Sequence, residues 1–191
     1  MQKKFSLKWL YVLTIVVGIF LCVIVLFNDK NISPVMTNIP DKTEATQQMS
    51  VRIPKIALNA RIENVGITKE GLMESPKGPN GVGWFHLGTL PGEIGSAVMD
   101  GHSGWKDGIP AVFDNLYKLK VGDKIYVKNQ KGEDLVFNVK EIRIYNPSEN
   151  TEEVFNSSDG IAHLNIITCS GLWDEFTKSH TKRLVVFSDM E

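Results

Sequence analysis

Residues 134–144 read DLVFNVKEIRI, and apolar and polar side chains alternate along most of the run. That is the period of a strand with one face buried. Just upstream, Asn129-Gln130-Lys131-Gly132 offers turn residues between this run and a second β-rich run at 124–129, so the pair reads as a hairpin. Working outward, similar short runs occur at 51–58, 61–67, 96–100, 164–169 and 183–189, and the central strand extends over 135–145. Gly78-Pro79-Asn80-Gly81 and Pro91-Gly92 break the chain between them. Two segments read as helical. Residues 113–119 (FDNLYKL) space apolar side chains at helical intervals, and 148–156 carry Asn150 with Glu153 in the manner of a cap and acidic first turn. Many short strands separated by turns predict a mainly β fold, closed or nearly closed.

The chain has 191 residues and a formal net charge of −1. A near-neutral balance gives a nucleic-acid partner no electrostatic support. All 22 acidic residues follow position 27, while Lys3, Lys4 and Lys8 precede it. The larger part is therefore mildly acidic and not built for an anionic surface. There are 2 cysteines, Cys22 in an apolar run and Cys169 near the end. The folded part thus holds a single thiol and must stand on its core without a disulfide.

Residues 9–27 (WLYVLTIVVGIFLCVIVLF) form an uncharged apolar stretch. At roughly 1.5 Å per residue it spans about 28 Å, the thickness of a bilayer's hydrocarbon. The three lysines in 1–8 put the amino terminus in the cytoplasm and the remainder outside, as a single-pass anchor in the cell membrane. The stretch exceeds a signal peptide's h-region and no small-x-small cleavage site follows it, so the expectation is an uncleaved anchor. Cys22 is a small apolar residue within it. Residues 28–50 are polar, contain prolines and lack a period, which reads as a stalk; the folded domain then occupies 51–191.

The segment from His163 to Trp173 (HLNIITCSGLW) reads as a buried strand ending at Cys169, with Ser170 and Gly171 as turn residues. A lone cysteine is often mere packing. As a nucleophile it needs help, because only a few per cent of an ordinary thiol is ionised at neutral pH. Four histidines are available. His86 follows Trp84-Phe85 as a packed surface residue, and His180 lies in a polar loop. His163 opens the cysteine's own strand, about 20 Å from the thiol if the strand is extended. His102 ends the apolar strand Ala97-Val98-Met99-Asp100 between Gly101 and the Ser103-Gly104 turn, a strand-end position like that of Cys169, so the two can meet at one rim. Arg183 opens the last strand. It reads either as a salt-bridged edge residue or as a fixed donor of up to five N–H groups for an oxyanion or substrate carbonyl.

Taken together, these segments resemble the sortase family: an amino-terminal anchor, a stalk, a domain opening near Arg52-Ile-Pro-Lys-Ile, then Gly101-His102, Ile167-Thr168-Cys169 and Arg183. Sortases commonly carry Thr-Leu-x-Thr-Cys before the nucleophile; of the matching Asn165-Ile166-Ile167-Thr168-Cys169, only Thr-Cys is literal. The segments 101–110 (GHSGWKDGIP) and 170–181 are closer to the class F and class D groups than to the housekeeping class. The resemblance implies a closed eight-stranded β-barrel with short helices. Seven runs are in hand, and 71–75 or 83–86 can supply the eighth strand.

By position, the resemblance makes Cys169 the nucleophile, His102 the general acid/base and Arg183 the stabiliser of the oxyanion. It implies cleavage of an LPXTG-like sorting signal between Thr and Gly, and transfer of the acyl group to an amine of peptidoglycan precursor or to a pilin lysine. A thioester divides one hard amide exchange into two easier steps. With thiol and imidazole uncoupled, only a minority of molecules carry the reactive ion pair at neutral pH. Thr168 is a substrate-positioning candidate or a strand-end threonine. Asp100 can orient His102 or cap a turn. Trp105 and Trp173 sit in loops beside the two catalytic segments and can grip an apolar substrate residue or serve a lid or core. In some sortases the region matching 148–160 binds calcium, but its carboxylates here lack a calcium-loop spacing, so no metal or other cofactor is expected. Two other readings use the same residues: a cysteine peptidase with water as acceptor, and a non-enzymatic anchored binding domain in which Cys169 is packing.

Overall fold

Strands β1 (Ser50–Ile53) and β2 (Leu58–Val65) pair antiparallel, so the expected single strand at 51–58 is divided between them. Pro54 has no N–H for the ladder. The chain turns there through a 3-10 segment, Pro54–Ile56, and Ala57 at φ 52 reverses it. The structure is a computed structural model that describes residues 47–191; the anchor expected at 9–27 and most of the linker lie outside the described residues. Among the described residues, no helix is long and apolar enough to cross a membrane.

The remaining strands are β3 (Val82–Phe85), β4 (Gly95–Gly101), β5 (Lys124–Lys128), β6 (Asp134–Tyr145), β7 (Ala162–Asp174) and β8 (Ser179–Met190). They close a barrel in the order β1-β2-β3-β4-β7-β8-β6-β5. β2–β3 and β4–β7 are parallel and the other pairs antiparallel. The eighth strand is the one foreseen around 83–86. The helical expectation at 113–119 becomes a turn with a 3-10 segment at Leu116–Lys118. That at 148–156 becomes one short helix, α1 (Glu152–Phe155), where Asn150 Oδ1 accepts the Glu152 N–H at 2.8 Å.

In β6, Phe137 and Val139 are fully buried inside the barrel. The register slips by a bulge between Val139 and Glu141, where Lys140-Glu141 interrupts the alternation. Beyond it Ile142 packs on the barrel core, while Tyr145 joins a second apolar cluster with Val98, Val154 and Val185. This second cluster lies on the outer face of β4, β7 and β8. It holds α1 against the barrel, and Asn165 Nδ2 donates to the Val154 carbonyl at 2.7 Å from a buried position. Strand β4 is buried on both sides for this reason, so the chain that follows it leaves from a rigid place.

Candidate active site

Cys169 and Arg183 are direct cross-strand partners on β7 and β8. Opposed side chains on antiparallel strands share a face, with Cβ atoms roughly 5 Å apart. On the far side, β4 runs parallel to β7 and places Gly101 beside Thr168, so His102 emerges next to the thiol strand. Cys169, His102, Trp105, Trp173 and His180 line one cleft of ≈ 540 Å³. Its surface is mostly apolar, which suits an extended peptide more than a polar metabolite.

Thr168 is buried, and its Oγ1 donates to the Gly101 carbonyl at 2.7 Å. It therefore ties the strand of the thiol to the strand of the imidazole, and its hydroxyl is already committed. Gly101 is required for another reason. A Cβ there would lie 2.5 Å from a ring carbon of Phe113, which is itself buried.

The His102 ring is held on two sides. Nε2 lies 2.8 Å from the Pro76 carbonyl, and the Trp105 ring stands 4.6 Å away, centroid to centroid, at 60°. The acceptor on the ring is thus a main-chain oxygen, and not the carboxylate of Asp100, one of whose two expected roles was to orient the ring. Asp100 is half-buried and pairs across β7 with Ile167, two residues before the thiol on the same face. Burial pushes its carboxyl above the usual carboxylate range, against a hydrogen bond from Ser75 and the charges of His102 and Arg183.

Burial likewise pushes the Cys169 thiol up; the Arg183 charge pulls it down and the Asp100 carboxylate pushes it up again. Arg183 is fixed by its own surroundings. Its Nη1 donates to the His180 carbonyl at 3.0 Å and the Lys182 carbonyl at 2.9 Å, and Nη2 to Ser179 Oγ at 3.1 Å. A planar guanidinium held in this way is oriented before substrate arrives.

The segment 170–181, expected to be a loop, continues the β7–β8 ladder, with Trp173 opposite His180 and Asp174 opposite Ser179. Ser170 still pairs with Lys182, and Gly171-Leu172 form a bulge before Trp173, with Gly171 at φ 77, so the strand passes through. The extension carries Trp173 and His180, whose rings stand 5.4 Å apart at 74°, as one wall of the cleft. His180, expected in a polar loop, is the residue the sequence missed; alternation opposite Trp173 would have found it had the strand been extended past Gly171. His86 and His163 lie elsewhere: His86 Nδ1 faces the Val65 carbonyl, and His163 sits between Asp159 and Asp189. Among the described residues, no group of three or more His, Cys, Asp or Glu side chains is placed to hold a metal ion.

A family model described as Sortase domain matches residues 51–191. Among solved structures, a lid mutant of sortase A from Corynebacterium diphtheriae is similar, with 26% identity, 80% of this chain and 74% of that chain covered, and a TM-score of 0.59. Sortase C1 of Streptococcus agalactiae, solved in complex with MTSET, has 27% identity over 76% of this chain and 70% of that chain, at a TM-score of 0.59. A Clostridium perfringens sortase D5 transpeptidase shares the fold at 24% identity, 75% and 78% coverage and a TM-score of 0.55. No curated protein matches the sequence.

Proposed function

The chain belongs to the sortase family of cysteine transpeptidases, and we propose that it cleaves an LPXTG-like sorting signal between Thr and Gly and passes the acyl group to a cell-wall or pilin amine. The observation that carries this reading is the register pairing of Cys169 with Arg183 beside a cleft that also holds His102.

The chemistry follows from these groups. The Cys169 thiol gives its proton to His102, and the sulfur attacks the scissile carbonyl carbon. As the C–S bond forms, the carbonyl oxygen takes the negative charge, and the Arg183 guanidinium is the fixed donor for it; a preorganised donor of this kind is typically worth about 10²–10³ in rate. The tetrahedral species collapses with loss of the amine, which takes its proton from His102, and leaves a thioester on Cys169. An incoming amine then attacks the thioester, gives a proton to His102, and frees the sulfur. Trp105 and Trp173 flank the cleft and suit the apolar residues of the signal.

The apolar stretch 9–27, with lysines before it, supports a membrane-anchored enzyme with its catalytic domain outside the cell. The test is to incubate the full-length protein in detergent with an LPXTG-type peptide library and glycine oligomers, and to identify products by mass. Ligated products from the wild type, absent from Cys169→Ala, are expected. Hydrolysed peptide alone, with the amine in excess, would favour a peptidase; no cleavage under varied calcium would overturn the acyl-transfer reading.

A further inference from the structure

The Pro76 carbonyl lies 2.8 Å from His102 Nε2 and belongs to a segment between β2 and β3 that no catalytic residue occupies. A carbonyl oxygen only accepts, so the contact requires a proton on Nε2. We propose that residues 74–77 are a positioning strap that fixes His102 as its Nε2–H tautomer, so that Nδ1 is the nitrogen that takes and gives the proton. The proposal rests on the acid/base role of His102 in the acyl-transfer reading and says which atom performs it.

The strap is held from several sides. The Glu74 N–H donates to the Gly66 carbonyl at 3.0 Å, and the Glu74 carboxylate accepts the Gly66 N–H at 3.0 Å. The Lys77 N–H donates to Glu63 Oε1 at 3.3 Å. Pro76 itself is buried, and its ring lies over Gly81 and Gly83: a Cβ on either glycine would come 3.4 Å from it. Pro76 thus packs directly on the start of β3, which sets the height of the carbonyl above the imidazole. Ser75, one residue earlier, lies close enough to Asp100 to oppose the effect of burial on its carboxyl. One short segment therefore reaches both polar residues at the end of β4.

The consequence for the reaction is a definite proton route. In the imidazolium both nitrogens carry protons. The leaving amine takes the one on Nδ1 as the C–N bond breaks, and the ring is left neutral with Nε2–H still on Pro76. The incoming amine returns a proton to Nδ1 as its nitrogen bonds to the thioester carbon and the thiolate departs. The proton on Nε2 never leaves, so the ring need not flip between the two half-reactions.

The chain has 4 histidines, few enough to follow individually. The test is a long-range ¹H–¹⁵N spectrum of the full-length protein in detergent, labelled with ¹⁵N-histidine and taken at alkaline pH, where an imidazole is neutral. His102→Asn assigns its signal. His86, whose Nδ1 lies 2.8 Å from the Val65 carbonyl, is the internal reference for the opposite tautomer. The expected result is Nε2–H for His102 and Nδ1–H for His86. Pro76→Gly, which frees the strap, and Glu63→Ala, which removes an exposed tether, should each shift the His102 tautomer ratio toward Nδ1–H, by about fivefold if one ordinary hydrogen bond is lost. Transfer kcat should fall alongside it, with KM little changed. A His102 ring with its proton on Nδ1 in the wild type would overturn the proposal, as would a ratio unmoved in both variants. An inactive wild type with the expected ring signature would count against the acyl-transfer reading alone.

Discussion

Replacing Arg183 by Met removes its charge while keeping much of its length, and the effect on the thiol can be worked out beforehand. Arg183 stands opposite Cys169, and its guanidinium turns toward the His180 and Lys182 carbonyls. With Cβ atoms roughly 5 Å apart, its charge lies near enough the sulfur to favour the thiolate, against the burial that raises the thiol pKa. The assay is the pH dependence of alkylation by iodoacetamide, read by mass on the Cys169 peptide so that Cys22 does not contribute. Arg183→Met should move the apparent thiol pKa up, because the charge that opposes burial is gone. Arg183→Lys should move it less, because the charge is kept, yet both should lose about 10²–10³ in acyl transfer because neither offers the held fork. An unchanged or lowered thiol pKa in Arg183→Met, or wild-type transfer by Arg183→Lys, would refute this account of the arginine.

Asp100 should show the opposite sign. Burial raises its pKa in the folded chain, so the folded state binds that proton more tightly than the unfolded one. The associated stability is fully present below the unfolded value of about 3.9 and is lost as pH rises through the folded value. Asp100→Asn should therefore melt higher than wild type at neutral pH, lose that advantage near about pH 4, and alkylate faster at Cys169; differential scanning fluorimetry and the iodoacetamide assay check these. His163 lies between Asp159 and Asp189; burial alone would lower its pKa, and the two carboxylates outweigh this and raise it. Its contribution to stability is present below about pH 6.5 and lost upward through the folded value. Urea midpoints of the wild type should fall over that window, and those of His163→Gln should not. Gly101→Ala sets a Cβ against the buried Phe113 ring; a cost of about 1–3 kcal/mol is expected, read as a drop of about 2–4 °C in Tm per kcal/mol, with loss of transfer as His102 shifts.

The barrel was legible where side-chain period governs. The alternation of 134–144 located β6, and even its interruption at Lys140-Glu141 marks the bulge. It was least legible where backbone geometry governs. Ser170-Gly171 has the composition of a turn, yet Ser170 stays paired and, with Gly171 at φ 77, the strand takes a bulge at Gly171-Leu172 and carries on to Asp174, which placed Trp173 and His180 on the cleft wall. Pro54 divided one apparent strand because it cannot donate to the ladder. Strand-end positions brought Cys169 and His102 to one rim, and the resemblance, through the order of His102, Cys169 and Arg183 along the chain, added the arginine. The sequence had no means of finding the Pro76 carbonyl, since a main-chain acceptor has no residue signature. Thr168 was noted for its place before the thiol, but its bond to Gly101 depends on the parallel pairing of β4 with β7, which lies outside any local pattern.

The central claim is that Cys169 carries the acyl group between donor and acceptor. Its most direct test is the intact mass of the full-length protein mixed with a cleavable LPXTG-type peptide in the absence of amine. The account predicts a hydroxylamine-sensitive adduct of the acyl fragment on Cys169, discharged on adding an amine with formation of the ligated product. Peptide cleavage with no adduct on Cys169, or cleavage that persists in Cys169→Ala, would contradict it.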